Sequence, residues 1–134
     1  MGQGGLISFL YNPPYSMKKT NIKKLDKLWA DKVKTKFMCE KCGKTTYLNA
    51  HHFYSRSIRS VRWDVDNGFC LCAGCHVLSS KFSAHKTPAE FVEWAIEQRG
   101  QEWYDDLKER KNTLMKYKDI DVEKLILDID EKPL

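Results

Sequence analysis

The 134-residue sequence lacks any apolar run that approaches the ~20 residues needed to cross a membrane. It also contains no internal repeat and no low-complexity linker. The opening stretch MGQGGLISFLYNPPYS has neither a basic n-region nor a small-residue cleavage site, so we do not interpret it as a signal peptide. These absences exclude the membrane-spanning and repeat classes and leave a globular chain, cytoplasmic by default, as the expectation.

Acidic residues are scarce in the first part of the chain. Residues 1–86 contain 15 Lys/Arg against 5 Asp/Glu, a net charge of +10, whereas residues 87–134 contain 8 against 13, a net charge of −5. A basic half is typical of a surface that binds a polyanion, and lysines that only maintain solubility are the alternative. The acidic half is typical of a solvated surface or of one that contacts another protein.

Hydropathy patterns predict a helix, a hairpin and a second helix in the basic part. NIKKLDKLWADKVKTKF is predicted to form a basic amphipathic helix, because apolar residues recur at helical spacing at Ile22, Leu25, Trp29, Val33 and Phe37. Residues 1–17 then form an N-terminal arm that Pro13 and Pro14 separate from this helix. TTYLNAHHF and NGFCLC read as strands, and AGCHVLSSKF reads as the start of a helix.

Three further helices are predicted in the acidic part. Thr87 is expected to cap the first, with Glu90 reaching back as in a capping box, and Gly100 to end it. Its apolar face is Phe91, Trp94 and Ala95; the next helix has Trp103, Leu107 and Leu114, and the last has Val122, Leu125, Ile126 and Ile129. We interpret these stripes as core positions rather than as a cofactor pocket.

Four of the five cysteines form two pairs with the spacing C-x-x-C. A structural zinc ion takes four ligands in a tetrahedron, and two such pairs supply all four. We therefore predict structural Zn²⁺ at Cys39, Cys42, Cys72 and Cys75, with a redox dithiol or buried inert thiols as alternatives. Cys70 is either a packed strand residue or a ligand in place of Cys72.

The histidines need a separate role, because a zinc ion with four cysteine ligands has no open coordination position. His51 and His52 are neighbours in a predicted strand, where adjacent side chains point to opposite faces. His76 directly follows a predicted zinc ligand. A hairpin held by that zinc would bring His76 near the histidine pair.

The order C-x-x-C, AHHF, VRWDVDNG and C-x-x-C-H resembles the zinc-ribbon branch of the HNH nucleases, over about residues 37–110. Within that branch, HHFYSRSIRSVRWDVDNG followed by HKTPAEFVEWAIEQRG is most similar to the phage NinG/Rap recombination endonucleases. Those proteins have Gly-His-aromatic where this chain has Ala50-His51-His52-Phe53, and Asn where it has His76. The resemblance implies an α+β fold. Residues 18–86 would comprise the basic helix and a small ββα-metal core stapled by zinc, and residues 87–134 would form an acidic helical extension.

The resemblance also implies roles for individual residues in a metal-dependent DNA endonuclease that leaves 5′-phosphate and 3′-hydroxyl ends. His52 would be the general base, and the Asn67 amide would fix the hairpin loop and so orient that base. His51 and His76 would bind the catalytic cation, Mg²⁺ or Mn²⁺ with Zn²⁺ or Ni²⁺ as alternatives, and His85 is a candidate third ligand. The alternatives are that His85 is simply exposed and that Asn67 belongs to a plain Asn-Gly turn.

Basic residues around this motif are expected to bind the DNA backbone rather than its bases. Arg56 is expected to act beside the scissile phosphate, and the wider set is Arg56, Arg59, Arg62, Lys81 and Lys86. The substrate would be branched recombination DNA of a phage or prophage in a bacterial cytoplasm. Duplex nicking during packaging or restriction, and a non-catalytic zinc-ribbon DNA-binding module, are the alternatives. Trp103, Tyr104 and the Leu125–Ile129 stripe are candidate contacts for a partner protein or a second copy.

Overall fold

The computed structural model describes residues 17–133, so the predicted N-terminal arm lies outside the described residues except for Met17. The helices and strands are α1 (Lys19–Lys34), β1 (Leu48–His52), β2 (Gly68–Cys72), α2 (Pro88–Arg99), α3 (Gln101–Asn112) and α4 (Val122–Glu131). The predicted α+β class is therefore confirmed. Within residues 17–133, no helix has both the length and the apolar character that a membrane span requires.

The two strands form one antiparallel hairpin at the centre of the molecule. His51 lies opposite Phe69 and His52 lies opposite Gly68. All five residues of β2 are buried, because helices cover both faces of the hairpin. Phe69 and Leu71 pack with α2 on one face, while Cys70 packs with α1 on the other. The structure thus places Cys70 in the core, on the face of the hairpin that contacts α1.

Helix α1 contacts the hairpin through its predicted apolar face, with Leu25, Trp29 and Val33 buried. The prediction that Phe37 continues this face is wrong. The helix ends at Lys34, and Phe37 has a φ of 60° and is 73% exposed. This left-handed conformation is incompatible with a right-handed helix, so the chain turns towards Cys39 and the helix stops before the apolar pattern does.

The segment after β2 is helical for one π-type turn only, Gly74–Leu78, so the helix predicted there is much shorter than expected. Helix α2 begins at Pro88 after Thr87, as predicted, but the capping box is not formed. The Thr87 hydroxyl instead accepts from the Ser83 amide and donates to the Ser83 carbonyl, and Glu90 is exposed. The side chain that would cap the helix thus closes the loop before it.

The boundary between α2 and α3 is Gly100, whose φ of 97° is readily adopted only by glycine. This confirms the predicted end of α2. Leu114 lies beyond the end of α3 and is 82% exposed, so its assignment to the apolar stripe of that helix is wrong. The helix ends at Asn112 with Thr113 as its C-cap, so Leu114 lies outside the helical repeat that would place it on the apolar face.

Helix α4 packs against α1, so the two ends of the described chain meet. Ile129 is buried with Leu25 and Trp29, and the rest of the predicted stripe packs around them. Lys32 Nζ also donates to the Asp130 carbonyl at 3.0 Å. Most of the stripe considered as a partner contact is therefore used within the chain, although Leu127 is exposed.

Candidate functional site

Four cysteine side chains meet at one end of the hairpin. Cys39 and Cys42 come from the turn before β1, Cys72 ends β2, and Cys75 lies in the turn that follows. Their sulfurs all lie within 4.8 Å of one another, and Cys42 Sγ is 3.6 Å from Cys72 Sγ. A tetrahedral ion with bonds of about 2.3 Å separates its sulfurs by about 3.8 Å. The cluster could therefore hold a structural metal ion.

Backbone hydrogen bonds favour the thiolate form of one member of this cluster, Cys39. Burial by itself raises the pKa of the Cys39 thiol, but hydrogen bonds from the backbone of Cys72, Cys42 and Lys41 lower that pKa to about 7. Burial and the charge of Cys39 raise the pKa of Cys75. Because metal ligands must be deprotonated, a cation is needed to hold all four sulfurs as thiolates at neutral pH.

A second group, the histidine cluster, consists of His51, His76 and His85. Their ligand nitrogens lie within 4.8 Å of one another, and the Nε2 atoms of His76 and His85 are 3.2 Å apart. Main-chain hydrogen bonds fix this arrangement, since the His85 amide donates to the His76 carbonyl and the Ala84 amide to the Cys75 carbonyl. The structure thus brings together the three residues for which the sequence resemblance implied a role in cation binding.

Two members of the histidine cluster, the half-buried His51 and His76, favour the neutral form. Burial lowers the pKa of His51 to about 3, and His76 and His85 act in the same direction. Burial also lowers the pKa of His76. Neutral imidazoles that converge keep their nitrogen lone pairs, and such nitrogens bind divalent transition metals.

His52 lies on the other face of β1 from the histidine cluster. Its ring stacks on the Trp29 indole, with centroids 3.7 Å and planes 11° apart, whereas His51 contacts Phe91 at 5.1 Å. Its Nε2 is 2.9 Å from the Arg62 carbonyl, which can only accept. The hydrogen therefore resides on Nε2, and Nδ1 is left as an acceptor.

The protonation state of His52 suits a base. Burial lowers its pKa, and this effect outweighs the Arg62 carbonyl, which acts in the opposite direction. The ring is therefore neutral at pH 7, with a lone pair on Nδ1 that can take a proton from water.

Asn67 is completely buried and ties together the loop between the strands. Its Nδ2 donates to the carbonyls of Tyr54 and Val61, and its Oδ1 accepts from the Tyr54 amide at 2.7 Å. These three bonds use every strong hydrogen-bonding position except one acceptor lone pair of the amide group. Asn67 therefore does more than form a turn with Gly68, because it fixes the loop that contains Arg56 and Arg59.

The predicted DNA contacts differ in their availability. Arg56 has a 66% exposed side chain and lies 3.5 Å from Asp26. Arg59 is exposed and lies over the Tyr117 ring, and Lys81 and Lys86 are exposed as well. The Arg62 side chain is only 12% exposed and makes two bonds to Asp26 at 3.0 and 2.8 Å, so the structure does not support a direct contact between Arg62 and DNA.

Glu40, inside the first C-x-x-C pair, is a structural residue that sequence reasoning missed. Its carboxylate accepts from the Cys70 amide at 2.7 Å and from Arg99 Nη2 at 3.0 Å. Arg99 also donates to the Gly68 carbonyl at 2.6 Å and stacks on Phe69. Together they join the cysteine turn, β2 and α2, and an acidic residue within a cysteine turn is the one local signal of this role.

A cavity of about 600 Å³ lies apart from both clusters, between the loop before β2 and α4. Part of its charged lining is paired, since Arg110 bonds to Asp64 and Asp66 and Lys132 bonds to Asp66. Among residues 17–133, neither histidine nor cysteine lines this cavity, in contrast to the two clusters.

Comparison with known proteins adds no further assignment. No family model matches the sequence, no curated protein matches it, and no solved structure matches the fold.

Proposed function

We propose that the protein is a metal-dependent endonuclease that hydrolyses DNA to 5′-phosphate and 3′-hydroxyl ends. One observation supports this most strongly. The adjacent residues His51 and His52 lie on opposite faces of one strand, the first with two further imidazoles and the second with a free acceptor nitrogen. Phosphodiester hydrolysis requires an activated water on one side of the phosphate and positive charge on the other.

Each group then has a definite task in the reaction. His52 Nδ1 accepts the proton of the attacking water, while Nε2 stays bonded to the Arg62 carbonyl. His51, His76 and His85 would hold a cation, which would supply positive charge to the phosphoryl and leaving oxygens. The water oxygen bonds to phosphorus, the P–O3′ bond breaks, and the leaving 3′ oxygen takes a proton from solvent. Exposed Arg56 binds a phosphate oxygen of the same backbone. Asn67 keeps the loop of Arg56 in place.

The donor set favours particular cations at the two sites. We propose Zn²⁺ for the four cysteines, whose thiolates are preferred zinc ligands. Among residues 17–133 the histidine cluster contains imidazoles and no carboxylate. Imidazole suits Zn²⁺ and Ni²⁺, whereas Mg²⁺ and Mn²⁺ prefer oxygen ligands, so we propose Zn²⁺ or Ni²⁺ before the Mg²⁺ or Mn²⁺ expected from the sequence.

The substrate is proposed from the sequence resemblance, together with the exposed basic residues. Branched recombination DNA is the first candidate, and plain duplex is the second. Both offer a phosphate backbone to Arg56, Arg59, Lys81 and Lys86, which lie on the surface.

The test is a cleavage assay with junction, flap, single-stranded and duplex DNA of matched sequence. After the histidine cluster is stripped by mild chelation, Mg²⁺, Mn²⁺, Ni²⁺ and Zn²⁺ are added separately, and zinc analysis verifies that one ion per chain remains at the cysteines. We expect cation-dependent cleavage, fastest on branched DNA. Binding of DNA without cleavage under every cation would instead identify a non-catalytic zinc-ribbon module.

A further inference from the structure

The side chain of His52 is held by helix α1, which lies outside the hairpin. Trp29 covers the face of the imidazole at 3.7 Å, and the two rings are nearly parallel. Stacking of this kind fixes the plane of the ring but leaves its rotation within that plane to other contacts.

The rotation is fixed by the Arg62 carbonyl, and α1 in turn fixes that carbonyl. Asp26 accepts two bonds from the Arg62 guanidinium and a third from Trp63 Nε1 at 2.8 Å. Trp29 Nε1 donates to the Asp64 carbonyl at 2.8 Å. Three consecutive loop residues, Arg62 to Asp64, are therefore bonded to two side chains one helical turn apart.

The hairpin has a matching gap for this helix. Gly68 lies opposite His52 in the sheet, and a Cβ atom there would lie 2.9 Å from Trp29 Cζ2 and would also collide with Val33. Only glycine lets the indole come close enough to lie over the His52 ring. The close approach and the stack act on the His52 imidazole directly, and the four hydrogen bonds hold the loop whose Arg62 carbonyl contacts His52 Nε2.

We propose that Asp26 and Trp29 are positioning residues of the cleavage reaction, which hold His52 with Nε2 on the Arg62 carbonyl and Nδ1 free for the attacking water. This inference rests on the proposed nuclease function. Asp26 also lies 3.5 Å from Arg56, the exposed arginine proposed to bind phosphate. The same carboxylate therefore holds the base indirectly, through Arg62, and contacts Arg56 directly. Helix α1 thus supports the active site in addition to packing against the hairpin.

The kinetic test compares Asp26→Ala and Asp26→Asn with Asp31→Asn, a control on the same helix whose carboxylate is exposed and pairs with Lys27. We expect Asp26→Ala to lower kcat by about 10- to 100-fold, because small displacements of a catalytic group have effects of that size. The KM for DNA should change less, because the exposed Arg56 keeps its charge for a phosphate when Asp26 is removed. Asp26→Asn should recover part of the loss, since its amide oxygen still accepts from Trp63. A kcat for Asp26→Ala within about twofold of wild type would overturn the proposal.

The second readout does not depend on activity. Long-range ¹H–¹⁵N spectra of the zinc-containing protein, assigned with His52→Ala, should show wild-type His52 as one tautomer protonated at Nε2. Asp26→Ala should mix the two His52 tautomers. Trp29→Phe should keep the stack on His52 and most of the signal of the Nε2-protonated tautomer. Phenylalanine is chosen because Trp29 is buried and a larger change threatens folding. An unaltered tautomer in folded Asp26→Ala contradicts the positioning role. If the wild type cleaves no DNA while the tautomer still depends on Asp26, the proposed function fails and the contact itself stands.

Discussion

The imidazole of His52 lies parallel to the indole of Trp29, with ring centroids 3.7 Å apart, while the preceding residue His51 faces His76 and His85. Strand geometry requires this divergence of neighbours, so one dipeptide can serve two chemically different positions. The two adjacent histidines in LNAHHFYSR are therefore compatible with a strand, and the strand directs their side chains to two different sites.

The first prediction separates cation binding from proton transfer. His51→Ala should weaken binding of Ni²⁺ to the histidine cluster by at least about 10-fold, because it removes a ligand that the other two cannot replace. His52→Ala should leave Ni²⁺ affinity within about twofold of wild type, since His52 lies on the other face. Isothermal titration calorimetry of protein that retains its cysteine-bound zinc measures both. Equal loss in the two variants would contradict the division of roles.

The second prediction concerns the cysteines. Cys42→Ser should lose the bound zinc and lower the thermal unfolding midpoint sharply, because structural zinc contributes directly to folding. Cys70→Ala is the matched control, since Cys70 is buried outside the cluster. It should retain one zinc ion per chain and cost about 1 kcal/mol for the removed sulfur. Zinc content by mass spectrometry and thermal denaturation decide the outcome, and loss of zinc from Cys70→Ala would require a different ligand set.

A third prediction tests the buried amide of Asn67. Asn67→Ala leaves two carbonyls and one amide of the loop without their partner, so we expect a loss of about 2–4 kcal/mol in the free energy of unfolding. Asn112→Ala, at the exposed end of α3, should cost less than about 0.5 kcal/mol. Urea denaturation measures both. If Asn67→Ala were as mild as the control, Asn67 would be an ordinary turn residue.

The fourth prediction contrasts two arginines of the same loop. Arg56→Ala should weaken DNA binding and reduce the slope of log affinity against log salt by about one, because it removes one phosphate contact. Arg62→Ala should mainly destabilise the fold, since it leaves Asp26 without its bidentate partner. Fluorescence anisotropy at several salt concentrations, combined with thermal denaturation, separates these effects. A reduced salt slope in folded Arg62→Ala would show that this arginine contacts DNA after all.

The fifth prediction is a pH dependence of stability from His51. Its folded-state pKa is lowered to about 3, so below pH 6.5 the unfolded chain binds a proton that the folded chain does not. The free energy of unfolding should therefore fall as pH decreases from 6.5 to 5, by up to about 1.4 kcal/mol per pH unit for this residue. His51→Gln should show a shallower slope, measured without added cation and with zinc content checked at each pH. Parallel slopes would contradict the neutral state of the half-buried His51.

Local pattern was enough to predict much of this fold. The buried face of α1, the glycine that ends α2 and the stripe of α4 follow from periodicity and backbone preferences of neighbouring residues. The spacing of the cysteines and the sequence resemblance singled out the residues that the structure gathers into two clusters.

The contacts that were missed join distant parts of the chain. Asp26 and Arg62 are 36 residues apart, and Glu40 and Arg99 are 59 apart. No local sequence pattern indicates such pairs, and Asp26, an acidic residue on a basic helix, is predicted to be a solvated charge. Phe37 was misplaced for a related reason, because the turn towards Cys39 prevails over helical periodicity.

The central claim is that His52 is the base of a metal-dependent DNA cleavage reaction. Its most direct test is conversion of supercoiled plasmid by wild type and His52→Ala, at equal zinc content and with Ni²⁺ or Mn²⁺ added. We expect the wild type to cleave, to leave 5′-phosphate ends that a ligase can rejoin, and to stop when the cation is chelated. His52→Ala should bind DNA and cation normally but lose cleavage by at least about 100-fold. Cleavage by His52→Ala at a rate close to wild type would contradict this account.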